Sequence, residues 1–209
     1  MEATFVLYPN MTALDFVGPY EVIGSVPVVS TRFVAATLDP VKSDNGLSVV
    51  PTDTFASLKS TDIVVVPGSS HWRELLRDSG GVVEWLREVH PTTKWTTSVC
   101  TGSTLLAEAG LVSKATTHWA AREDLSVRGV EVSDDRVVFD GKVVSGAGVS
   151  AGIDMALRLV EAEFGEMVAQ AVQAGIEYDP QPPRAYDSIP PEVIDGLKAA
   201  FESRQVRPD

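Results

Sequence analysis

The chain has 209 residues, the length of one domain, and its 44% hydrophobic content is enough for a buried core. The net charge of -12 repels phosphate backbones and anionic lipid heads, and no run of about 18 apolar residues occurs, so neither nucleic acid nor membrane is expected as a partner. Cys100 is the only cysteine, which excludes an intramolecular disulfide, and no basic stretch precedes an apolar one at the N-terminus; both point to a reducing, cytoplasmic setting.

Thr4 to Tyr8 is rich in strand formers and stops at Pro9-Asn10. Thr12 or Asp15 then caps a predicted helix carrying Phe16, Val17, Tyr20, Val22 and Ile23. Phe33 to Leu38 and Leu47 to Val50 read as further strands, the second after the turn signal Asp44-Asn45-Gly46. Ile63 to Val66 is uninterrupted and apolar, as in a strand covered on both faces, and runs into the loop Pro67-Gly68-Ser69-Ser70. Helices are predicted over Glu74 to Arg77 and Val82 to Val89, a strand over Lys94 to Val99, and a helix over Ser103 to Ala109. Asp140-Gly141 separates two strand-like runs as a hairpin. Ala151 to Glu163 has helical spacing, and Asp179 to Pro191 contains five prolines. That last segment reads as an extended arm, followed by a surface helix over Glu192 to Ser203. Residues 1–209 are therefore expected to form one α/β domain, with an arm and helix from about 180.

In a parallel sheet covered by helices, sites form outside the carboxyl ends of the strands. Three such ends carry polar groups: Asp15, Gly68-Ser69-Ser70, and Cys100-Thr101. A cysteine between a strand and a helix N-terminus is turned out of the sheet, and the helix end favours its thiolate. On the residues alone, Cys100 is equally well a small buried side chain. Asp15 reads first as an ordinary helix cap or a solvated first-turn carboxylate, with proton donation the less common role, and His118, beside Trp119, reads first as a hydrogen-bonded packing residue. His71, His90 and His118 are far apart in sequence, and no dinucleotide or phosphate-loop motif occurs; no metal and no organic cofactor is expected.

Read together, Leu14-Asp15-Phe16-Val17-Gly18-Pro19, Val66-Pro67-Gly68, Thr97 to Ser103, Thr117-His118-Trp119-Ala120 and Gly148 with Ala151-Gly152-Ile153-Asp154 resemble the ThiJ/PfpI superfamily. Within it they look most like the isocyanide hydratases, over residues 4 to about 183, with Glu177 to Pro183 resembling their C-terminal arm. The resemblance implies a flavodoxin-like sandwich, a homodimer, and hydration of an organic isocyanide to an N-substituted formamide. It implies Cys100 as nucleophile, Asp15 as its carboxylic partner and Thr101 beside them, with Gly68, Ser69, Thr101 and His118 around the substrate. Backbone N–H groups of Ser69 and Thr101 are the expected donors to developing charge.

The proteolytic branch carries a histidine directly after its cysteine, where this chain has Thr101, so protease activity is not expected. Ser69 in place of a second glycine, the bulk of His71-Trp72, and Arg184 in place of an aromatic residue bear on the substrate rather than on the cysteine chemistry. Two other readings keep Cys100: glyoxalase- or deglycase-like action on small α-oxoaldehydes, and a non-catalytic ligand- or oxidant-sensing domain.

Overall fold

The computed structural model describes residues 1–206. Strand β1 (Glu2–Val6) leads through α1 (Ala13–Gly24) to β2 (Ser30–Ala35). A small hairpin, β3 (Val41–Lys42) with β4 (Ser48–Val49), and the short β5 (Asp53–Thr54) precede β6 (Ile63–Val66). Helices α2 (Trp72–Arg77) and α3 (Val82–Val89) lead to β7 (Trp95–Val99), which runs straight into α4 (Gly102–Glu108). A side excursion follows, with β8 (Lys114–Ala115), α5 (Arg122–Ser126) and β9 (Glu131–Val132). The chain then forms β10 (Val137–Asp140), β11 (Val143–Gly146), α6 (Ala151–Phe164), α7 (Glu166–Gly175) and α8 (Pro191–Val206).

The seven-stranded sheet has the order β10-β11-β7-β6-β1-β2-β5. Every pairing is parallel except that of β10 with β11, the hairpin expected at Asp140-Gly141. From β1 the chain steps outward to β2, and from β6 it steps outward to β7 in the opposite direction. Right-handed crossovers then put their helices on opposite faces, which is the flavodoxin-like arrangement expected. The strand order reverses between β1 and β6, so the crevice at their carboxyl ends is the natural site position.

Helix α1 is fixed to the sheet by rings. Phe16 and Tyr20, one turn apart, pack with Phe5 of β1 and Phe33 of β2 at centroid distances of 5.5 to 5.9 Å. Pro19 lies inside α1 and has no N–H to give the Asp15 carbonyl one turn earlier. β1 ends two residues earlier than expected, so Leu7 and Tyr8 stand beyond it, at the carboxyl edge of the sheet. Both remain buried, and the Leu7 N–H still bonds to the Val34 carbonyl at 2.8 Å.

The proline-rich arm has one short 3-10 turn, Tyr186–Ser188, and is exposed along most of its length. Helix α8 returns to the body through Phe201, whose ring lies 5.3 Å from His118 and 5.6 Å from Trp119. No helix of the described residues is long and apolar enough to cross a membrane.

Candidate active site

Cys100 and Thr101 form the whole turn between β7 and α4. Cys100 has φ of 58°, a left-handed conformation that costs a non-glycine residue about 1–3 kcal/mol. Backbone contacts hold it there. Its N–H donates to the carbonyls of Gly146 (3.1 Å) and Ala147 (2.7 Å), and its own carbonyl accepts from the Thr117 and Ser103 hydroxyls at 2.9 and 3.2 Å. Gly102 makes this turn possible, since a Cβ there would collide with the carbonyl oxygens of Val66 and Pro67.

The Pro67-Gly68 loop after β6 presses against the same turn. A Cβ on Gly68 would lie 2.6 Å from the Thr101 nitrogen and 2.9 Å from Asp15 Oδ2. The glycine therefore lets the loop backbone reach both residues. Its N–H donates to Asp15 Oδ2 at 2.9 Å. Asp15 is fully buried in the first turn of α1 and does not cap that helix; Thr12 occupies the cap position. Asp15 Oδ1 makes no well-formed hydrogen bond among the described residues, and the Cys100 thiol lies against the carboxyl.

Burial governs the protons of this pair. Loss of water pushes the Asp15 carboxyl up to about 8, against the pull of the Gly68 N–H and the thiol, with Asp44 adding to the rise. The Cys100 thiol is also held well above its ordinary range, first by burial and then by the Asp15 charge. This corrects the expectation of a thiol drawn down by the helix end. The N–H groups of Thr101 and Val149 do pull the thiol down, but desolvation outweighs them.

Thr101 and Ser69 lock together. The Ser69 N–H donates to Thr101 Oγ1 at 2.8 Å, and that hydroxyl donates to the Ser69 carbonyl at 3.0 Å. The expected role of the Ser69 N–H as a donor to substrate is thus corrected, because the group is already engaged. Thr101 and Val149 supply the N–H groups that face the thiol. The Ser69 hydroxyl ties two further segments, donating to the Asn10 carbonyl (2.6 Å) and accepting from the His71 N–H (2.9 Å). Tyr8, buried beyond β1, donates its hydroxyl to the Pro67 carbonyl. Its own pKa is raised by burial and then by Asp15 and Cys100, which places it beside the pair.

His118 sits at the edge of this group rather than in it. Its Nδ1 accepts from the Ala120 N–H at 3.2 Å, and Gly148 leaves room for its ring. Burial pulls its pKa down to about 4, so it is neutral near pH 7. Trp72 is buried, with its indole N–H on Asp124 at 3.0 Å, and Arg184 is exposed. Sequence reasoning passed over Tyr8, Thr117 and Val149. Tyr8 closes the strand-forming run Thr4 to Tyr8, just before Pro9-Asn10, and carried that signal; the other two act through a backbone contact that the sequence does not display. No group of three His, Cys, Asp or Glu among the described residues could hold a metal ion.

Residues 1–162 match the DJ-1/PfpI family. An isonitrile hydratase from Pseudomonas putida is 38% identical over 213 residues, covering 99% of this chain and 93% of that protein. The HTH-type transcriptional regulator CdhR of Pseudomonas aeruginosa is 30% identical over 182 residues, 80% of this chain but only 52% of the regulator. The crystal structure of a ThiJ/PfpI family protein from Pseudomonas syringae superposes with a TM-score of 0.91 at 33% identity, over 97% of this chain and 86% of that one. With sequence, fold and the strand–cysteine–helix turn in agreement, the chain belongs to the DJ-1/PfpI family.

Proposed function

We propose that this protein hydrates organic isocyanides to N-substituted formamides, with Cys100 as nucleophile and Asp15 as the group that moves the proton. The observation that carries the reading is the buried Asp15–Cys100 pair, in a chain 38% identical over almost its whole length to an isonitrile hydratase. The working form of the pair holds one proton, and attack proceeds from the tautomer that carries it on Asp15 Oδ1 rather than on sulfur, since Oδ2 already accepts from Gly68. The thiolate attacks the terminal isocyanide carbon while Oδ1 delivers its proton to that carbon, giving a thioimidate and an Asp15 carboxylate. Water then adds to the same carbon, losing a proton to Asp15, which passes it to nitrogen. The tetrahedral adduct collapses as its hydroxyl proton returns to Asp15 and the C–S bond breaks, releasing formamide and restoring the starting pair. The Thr101 and Val149 N–H groups stabilise the sulfur whenever it is charged. No organic cofactor or metal enters these steps.

The same reading includes a homodimer. Leu14 and Leu47 are 44% and 47% exposed, and they follow the Thr12 and Asp44 side chains that bond to each other at 3.0 Å. Exposed large apolar side chains of this kind are better covered by a second copy than by water. A monomer mass by light scattering at micromolar concentration would count against the dimer.

The function is tested by incubating the purified protein with an alkyl isocyanide and, side by side, with methylglyoxal. Formamide from the first is the expected product. Lactate from the second without any formamide would assign the protein to oxoaldehydes instead, and neither product would favour a sensing role.

A further inference from the structure

A cavity of about 710 Å3 opens at the same carboxyl edge of the sheet, over β1 and β2, and it is not lined by Cys100, Asp15, Thr101 or His118. Its deeper wall is apolar, with Leu7, Ala35, Val41, Phe55, Leu75 and Val82. Its exposed or half-exposed lining includes three carboxylates (Asp39, Glu74 and Asp78) and one ammonium, Lys42. Asp39 accepts from Thr37 and Asp78 from the Gly80 N–H, while Glu74 and Lys42 make no ion pair among the described residues. A volume in the range of ligand pockets, an apolar interior and a few charged groups are the usual features of a small-molecule site.

From this arrangement we infer that the protein has a second binding site, separate from Cys100, for a compact apolar molecule carrying one basic amine. The apolar body is desolvated among Leu7, Val41, Phe55 and Val82, and the ammonium is met by the excess of carboxylates in the exposed lining. An anion of the same shape is disfavoured by that excess and by the overall charge of -12. The two sites share a wall. Tyr8 lines the cavity and bonds to Pro67, and Asn10 and His71, both lining residues, are joined by the Ser69 hydroxyl.

The probes are 2-naphthylmethylammonium and 2-naphthoate, matched in ring and opposite in charge, titrated by calorimetry against the full chain and three variants. The ammonium probe should saturate one site per chain and bind at least about fivefold more tightly than the carboxylate, the scale of partly exposed charge contacts. Ala36→Trp, which fills the cavity from its exposed lining, should abolish binding of both probes. Glu74→Gln, a change of one half-exposed charge, should weaken only the ammonium probe, by about two- to fivefold, and it serves if Ala36→Trp fails to fold. Cys100→Ser should leave both affinities unchanged. Equal binding of the two probes, or ammonium binding indifferent to Glu74→Gln, would overturn the inference.

Discussion

Two aspartates at opposite ends of the molecule have opposite proton chemistry. Asp140, at the β10–β11 turn, accepts from the Ser113 N–H (2.7 Å), the Ser113 hydroxyl (2.8 Å) and the Lys114 N–H (3.0 Å). Those donors hold its carboxyl below the usual range and pin the turn to the start of β8. Asp15 is fully buried, with one N–H donor and a thiol for a neighbour, and its carboxyl is pushed up to about 8. Three donors at a partly hydrated turn make a fixed anion that clamps backbone. One donor in a dry crevice leaves a carboxyl that can take and release a proton near neutral pH.

The largest expected effect lies at the dry end. Cys100→Ser should fold and lose essentially all formamide production, because a serine hydroxyl keeps its proton and the pair then has no soft nucleophile. Near wild-type turnover by that variant would exclude thiol catalysis. Gly68→Ala should come next. Its Cβ meets the Thr101 nitrogen at 2.6 Å, so the loop must retreat from both Asp15 and Thr101. A fall in kcat of about a hundredfold is expected for a misplacement near 1 Å, and an unchanged kcat would show that loop contact to be dispensable.

Stability against pH sharpens the same contrast. A carboxyl raised to about 8 in the fold contributes stability that is fully present below its ordinary unfolded value and is lost as pH rises through about 8. Asp15→Asn should therefore gain on the wild type in Tm as pH rises from 4 to 8. For Asp140, held low, the stability is present above the unfolded value and is lost as pH falls through the lower folded one. Asp140→Asn should cost no more than about 1 kcal/mol, because the site is partly exposed and screened, and should leave kcat unchanged. Urea melts of Asp15→Asn at pH 4 and pH 8, and of Asp140→Asn at about pH 5 and below the ordinary carboxylate value of about 4, would read these signs; a common direction for the two would break the comparison.

Much of the frame was legible because its signals are local. Four buried residues in β6, the hairpin at Asp140-Gly141 and the periodicity of α6 need no tertiary knowledge. So was the convergence of Asp15, Gly68 and Cys100, which follows from strand ends in a parallel sheet. Helix α7 went unseen because it follows α6 after the single residue Gly165, and the two-residue strands β5, β8 and β9 have no period to read. The protons were misjudged for a different reason. Burial of the thiol is a property of everything packed over Cys100, and neighbours along the chain do not reveal it.

The central claim is that Asp15 and Cys100 act as one proton-sharing unit. It is tested by measuring formamide production from an alkyl isocyanide between pH 6 and 9, for wild type and for Asp15→Asn preparations whose Cys100 still labels with iodoacetamide. The wild-type kcat/KM should climb about tenfold per pH unit until the pair loses its first proton, near the value of about 8 set by burial of Asp15. The variant should not level off near pH 8, because the one proton left to lose is that of the thiol, which burial holds high, and it should run about two to four orders of magnitude slower, the worth of a positioned general acid. An Asp15→Asn enzyme with the wild-type rate and the wild-type pH profile would contradict the account.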